Sequence, residues 1–152
     1  MKRLDFDYYM LQLAQIAAKR GTCAKRQVGA VVADENNMIV AVSYNGVPSK
    51  QPHCLDAPCK ALTLEAPVSH LGCRAIHAET NALLLAGRHA HNGTIAITTS
   101  PCYECAKIIV NSRIKRLIIG EVNRLFYEEN AAYSSTPAAL LKSANIEIKE
   151  II

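Results

Sequence analysis

Cys73-Arg74-Ala75-Ile76-His77-Ala78-Glu79-Thr80-Asn81-Ala82 puts an imidazole and a carboxylate two residues apart at the head of a segment with helical character. A chemically matched stretch follows downstream, Ser100-Pro101-Cys102-Tyr103-Glu104-Cys105. Together they offer one nitrogen and two sulfur ligands beside a carboxylate that need not touch a metal. Zinc held by three protein groups keeps a fourth position for water, which separates a catalytic zinc site from a closed structural one. Residues three apart on a helix share a face, whereas residues two apart diverge. Cys102 and Cys105 can therefore bind one ion, while Glu79 reaches past His77 toward the water. Ser100 is a good helix cap and Pro101 a good first helical residue, so both thiols are expected in a first turn, where the helix dipole favours anions. Thiolates at neutral pH follow from that setting.

Working outward, strands and helices alternate. Asp5 or Asp7 can cap a first helix whose apolar stripe is Phe6, Tyr9, Met10, Leu13, Ile16 and Ala17, ended by Gly21. Val28 to Ala33 and Met38 to Ser43, separated by Asp34-Glu35-Asn36-Asn37, form a hairpin. His77 to Ala86 is helical, Thr94 to Thr98 a strand, and Cys102 to Asn111 a helix. Lys115 to Ile119 is again a strand, Pro137 to Ala144 a helix, and Ile146 to Ile151 an edge strand. The order α-β-β-α-β-α-β-α-β predicts an α/β fold with a mixed five-stranded sheet between helical layers, parallel in its later part.

The chain has 152 residues, half of them apolar, which suits one domain over 1–152. A cysteine-rich insertion at about 44–75 interrupts the alternation. No apolar run approaches the roughly 20 residues that span a bilayer, and Met1-Lys2-Arg3 leads into an amphipathic segment, so a cytoplasmic location is expected. The net charge of +4 is spread without a basic block. That balance suits a phosphorylated small molecule and neither a nucleic-acid polymer nor a membrane. Six cysteines beside C-x-x-C and histidines point in a reducing compartment to metal and not to disulfides.

H-A-E followed by P-C-x-x-C is the signature of zinc-dependent nucleobase deaminases, and here the chain resembles the cytidine and deoxycytidylate deaminase superfamily, most closely the deoxycytidylate (dCMP) deaminases and the bacterial competence-operon proteins of that type. The resemblance is carried by Cys23-Ala-Lys-Arg-Gln-Val-Gly-Ala-Val-Val, Ser43-Tyr-Asn-Gly-Val-Pro48, His53-Cys-Leu-Asp56, Cys73 to Ala82 and Thr99 to Lys107. It implies the three-layer cytidine deaminase-like fold, His77, Cys102 and Cys105 as ligands of a catalytic Zn2+, and Glu79 as proton shuttle. It also implies Asn45 as a nucleoside contact, although Asn45-Gly46 by itself reads as a turn. Lys25, Arg26, Ala78 and Ser100 adjoin the motifs and are candidate substrate contacts; Lys25, Arg26 and Arg74 are equally readable as solvated cations. Where some relatives place a tyrosine after the Lys115-to-Ile119 strand, this chain has Val122-Asn123-Arg124, with Tyr127 later.

Family members often carry a second zinc near Cys23, Cys54, Cys59 and Cys73. Four thiolates there would close a structural tetrahedron and order the insertion. His53 or His70 replacing one cysteine, or plain buried thiols, are the alternatives. The resemblance further implies a homo-oligomer, with a hexamer as candidate assembly, and deamination of dCMP to dUMP. A polynucleotide or tRNA adenosine deaminase and a non-catalytic zinc-braced module are the competing functions.

Overall fold

Strand alternation decides which side chains lie on each side of the central sheet. In a computed structural model describing residues 1–63, 72–129 and 134–151, β1 (Gly29–Ala33) is sandwiched between β2 (Ile39–Tyr44) and β3 (Thr94–Thr99), antiparallel to both. Then β4 (Arg116–Glu121) and β5 (Glu147–Glu150) add in parallel, giving the order β2-β1-β3-β4-β5. Val31, Ala33, Ala96 and Ile118 point to one face with Met10, Leu11 and Ala14 of α1 (Phe6–Ala18). Ala30, Val32, Ile95, Ile97, Leu117 and Ile119 point to the other. That second face is covered by α2 (Ala78–Ala86), α3 (Tyr103–Asn111) and α4 (Pro137–Ser143). The expected α/β/α layering and mixed five-stranded sheet are both present.

The first helix packs with Phe6, Met10, Leu13 and Ala17 of its expected stripe against the core, but Tyr9 and Ile16 face out and Leu11 and Ala14 are buried instead. Asp5 is the cap, its carboxylate accepting from the backbone N–H groups of Asp7 and Tyr8 at 3.1 and 3.2 Å. Asp7, Met10, Leu11, Ala14 and Ala17 are buried, whereas Ile16 is 63% exposed and Tyr9 also faces out. The cause is a close approach of backbones: a Cβ on Gly29 would lie 1.9 Å from the Ala14 carbonyl oxygen. At that spacing no side chain fits between Ala14 and Gly29, while Met10 and Leu11 fill the sheet face on either side of the contact and Ile16 turns to solvent.

The insertion leaves the sheet and returns to it at one point. Gly46 and Ile76 pair by two backbone hydrogen bonds, 3.2 and 2.8 Å, bringing the end of β2 beside His77. Within the described part, Cys54, Cys59 and Ala61 are buried together against Val47, around a single 3-10 turn, Lys60–Leu62. His70 lies outside the described residues.

Candidate metal centre

Two helix entrances converge. His77 occupies the cap position of α2 in extended conformation (φ −68°, ψ 151°), and Cys102 the cap position of α3 (φ −72°, ψ 171°), with Cys105 in the first turn of α3. Unpaired backbone N–H groups at such ends favour anions. Ser100 does not cap α3 as its residue type suggested. Pairing of β3 with β4 runs on to Thr99–Glu121, and the Ser100 N–H bonds the Glu121 carbonyl at 2.8 Å. The helix therefore begins only at Tyr103, and the buried Ser100 hydroxyl accepts from the Asn123 N–H at 2.8 Å instead.

His77 Nδ1 lies 3.3 Å from Cys105 Sγ and 3.6 Å from Cys102 Sγ. Tetrahedral ligation at ordinary zinc–nitrogen and zinc–sulfur lengths puts such atoms about 3.6 Å apart, so the three donors fit zinc without rearrangement. Their hydrogen bonding reflects the same crowding. The Cys102 thiol is pulled down to about 4, first by its hydrogen bond with the Cys105 thiol, against its burial, and then by His77. Cys105 is pushed the opposite way by that shared bond and by burial. His77 is raised by its bond to Cys102.

Glu79 is buried at 4% exposure, and burial pushes its carboxyl up to about 7. The nearby His77 charge opposes this and the Cys102 charge adds to it. A carboxyl with that affinity for a proton can both take and return one near neutrality. Ala78 is fully buried between the two chemistry-bearing residues.

The flanking loop is fixed by Asn45, which is 7% exposed. Its Oδ1 accepts from the Val28 N–H and its Nδ2 donates to the Arg26 carbonyl, each at 2.8 Å. Among the described residues, one donor and one lone pair of this amide have no partner. Arg26 Nη2 donates to Thr99 Oγ1 at 2.8 Å, and the same nitrogen lies 3.7 Å from Glu121. Lys25 is exposed. Arg74 turns away from solvent, bonding the Ala57 carbonyl and approaching Cys54 Sγ at 4.0 Å. Tyr127 bonds Glu150 on β5, which raises its phenol to about 12.

Sequence reasoning assigned no role to Thr80, Asn81 or Thr99. Asn81 Nδ2 donates to the Tyr44 carbonyl at 3.0 Å, tying α2 to the residue before Asn45. An asparagine inside a helix, where its propensity is poor, was the available signal. Of the expected second cluster, Cys54 and Cys59 share a hydrogen bond and Cys54 feels the charge of Cys23, while Cys73 is exposed. Among the described residues, His77, Cys102 and Cys105 alone bring three such donor atoms within 4.8 Å of one another.

The fold and the paired helix entrances define a zinc-binding α/β domain. The family profile "Cytidine and deoxycytidylate deaminase zinc-binding region" matches residues 4–121, and the chain belongs to that family. It is 32% identical to deoxycytidylate deaminase of Schizosaccharomyces pombe over 157 residues, covering 99% of this chain and 45% of that protein. It is 36% identical to the Mycobacterium phage D29 deoxycytidylate deaminase over 124 residues, covering 78% and 96% respectively. The fold matches that of a dCMP deaminase from cyanophage S-TIM5, solved with dCMP and dUMP, with TM-score 0.74 at 21% identity over 99% of this chain and 100% of that one. The chain spans a little under half the length of the Schizosaccharomyces pombe and Saccharomyces cerevisiae enzymes, 45% and 46%.

Proposed function

We propose that the protein, as one deaminase domain, hydrolyses dCMP to dUMP and ammonia. The observation that carries the reading is the gathering of His77 Nδ1, Cys102 Sγ and Cys105 Sγ within 4.8 Å of one another, with the buried carboxyl of Glu79 two residues along the chain from the imidazole. His77, Cys102 and Cys105 would hold a zinc ion, which would supply a bound water with its pKa lowered to about 7. Glu79 would take a proton from a water held at that site and pass it to the ring nitrogen beside C4, the oxygen adding to C4 while the ring stays neutral. Glu79 would then take the remaining proton from the new C4 hydroxyl and give it to the exocyclic nitrogen, so that the C4–N bond breaks, the C4 carbonyl forms and ammonia leaves. Water supplies the new carbonyl oxygen, and no electrons are transferred to or from a cofactor.

Substrate choice draws on the adjoining loop. The free valences of Asn45 serve the nucleoside, Ala78 and Ser100 wall the base, and Arg26, held by Thr99 and with a side chain 47% exposed, takes the 5′-phosphate together with Lys25. The likeness to deoxycytidylate deaminases and to the cyanophage enzyme solved with dCMP and dUMP supports the nucleotide. Ammonia release measured with dCMP, deoxycytidine and an RNA stem-loop tests the assignment. Turnover fastest on dCMP is expected; turnover confined to the RNA contradicts it.

A second zinc, bound at Cys54 and Cys59 with Cys23 or Cys73 drawn in, is part of this reading. The mutual hydrogen bond of Cys54 and Cys59 and the proximity of Cys23 support it. Metal analysis giving two zincs per chain, falling to one in Cys54→Ser, is the expected result; one zinc in both proteins contradicts it. All six cysteines are free thiols, which suits a reducing cytoplasm. No helix among the described residues is long and apolar enough to cross a membrane. Self-association is supported by α2, which leaves Leu84 and Leu85 exposed at 77% and 67%.

A further inference from the structure

Glu79, Thr80 and Asn81 are consecutive residues of α2 whose side chains engage three different neighbours. Glu79 is buried beside the sulfurs, and Asn81 reaches back to the Tyr44 carbonyl. Thr80 Oγ1 lies 3.8 Å from Cys105 Sγ. A helical threonine can return its hydroxyl to the carbonyl four residues earlier, but Thr80 lies in the first turn of α2, so that carbonyl falls before the helix. Here that carbonyl belongs to Ile76 and already accepts the Gly46 N–H at 3.2 Å. Among the described residues, Cys105 Sγ is the hydrogen-bond partner the Thr80 hydroxyl has.

We propose that Thr80 is a positioning residue for the metal centre, its hydroxyl donating to Cys105 Sγ and fixing the charge and direction of that ligand. The inference rests on the zinc reading above. A ligating thiolate has no proton, so in this pair only the hydroxyl can donate. Cys105 is 3% exposed, so water is a poor substitute donor. The bond restrains the sulfur lone pairs, as partners outside the ligand shell generally do, and a hydroxyl donating to a thiolate also draws electron density from it. Deamination at C4 benefits because a less electron-rich ligand set leaves the ion more electrophilic toward its water.

Thr80→Val keeps the branched shape and removes the donor, Thr80→Ser keeps the donor, and Thr80→Ala guards against a folding defect caused by the valine methyl. Each is prepared with zinc and, separately, with cobalt(II), whose sulfur-to-metal charge-transfer band reports thiolate donation. In Thr80→Val and Thr80→Ala, zinc affinity measured against a chelator should fall about tenfold. The cobalt band should move to lower energy, and kcat for dCMP should drop with KM unchanged. Thr80→Ser should restore all three. If zinc affinity in both donor-less variants stays within twofold of the parent and the band does not move, Thr80 has no such role. If the parent itself gives no sulfur-to-cobalt band, the zinc reading fails first and takes this inference with it.

Discussion

Arg116 on β4 grips Asp7 on α1 with both guanidinium nitrogens, Nη1 to Oδ1 at 3.1 Å and Nη2 to Oδ2 at 2.8 Å. Lys149 Nζ on β5 reaches the same carboxylate at 2.6 Å, and Arg116 Nε lies 3.3 Å from Glu147. The helix on this face of the sheet is thus tied by a buried acid to β4 and to the edge strand β5, which pair in parallel. Asp7→Asn keeps the shape and removes the charge. Because Arg116 stays partly solvated, the loss should be about 2 kcal/mol in urea unfolding at pH 7, at the middle of the range for hydrogen bonds to charged groups.

The same pair sets an acid limit. The Arg116 hydrogen bonds, opposed by burial and helped by Lys149, hold the Asp7 carboxyl below its ordinary value of 3.8. A depressed folded pKa means the unfolded chain binds the proton first on acidification. The contribution is therefore complete above about pH 4, near the unfolded value, and is lost as pH falls through the depressed folded value. The stability gap between the parent and Asp7→Asn should be flat from pH 5 to 7 and shrink below pH 4. A gap that widens on acidification contradicts the assignment.

Gly29→Ala probes the approach of α1 to β1. Since the added carbon would sit 1.9 Å from a backbone oxygen, the helix must shift bodily. A cost of at least about 1–3 kcal/mol is expected, read as a lower Tm. An unchanged Tm would mean that the packing distance is not fixed by this contact.

Arg26→Gln keeps a hydrogen-bonding side chain for Thr99 while removing the charge. If Arg26 meets the phosphate, kcat/KM for dCMP should fall about ten- to a hundredfold, the scale of a charge-assisted bond. The value for deoxycytidine should change little. Equal losses on both substrates would place Arg26 in loop support only.

Replacing Leu84 and Leu85 together with glutamate tests self-association through α2. Sedimentation should show a smaller species than the parent, with the fold retained by circular dichroism. The same mass for both proteins removes this face from the interface.

How far the sequence was legible follows from what each signal measures. Strand alternation is a local property, so Val31 and Val32 or Ile118 and Ile119 could be assigned to opposite faces from their order alone. The stripe of α1 was legible at Phe6, Met10, Leu13 and Ala17, and missed at Tyr9 and Ile16 because hydropathy weights large side chains, whereas part of the contact is made by Ala14 against Gly29, a long-range fact of backbone spacing. Ser100 has a capping residue's chemistry, but strand pairing claimed its backbone first. The donor set His77, Cys102 and Cys105 was readable because metal chemistry restricts residue type and spacing. The partners of Thr80, Asn81 and Arg26 were not, since neutral and surface polar residues carry no spacing rule.

The most direct measurement is zinc content and dCMP turnover in Glu79→Gln. Glutamine is nearly isosteric and cannot shuttle a proton, so the protein should fold and hold the parent's complement of zinc while kcat drops by about 10²- to 10⁴-fold. Turnover within a few fold of the parent, at equal zinc content, would contradict the central role given to that buried carboxyl.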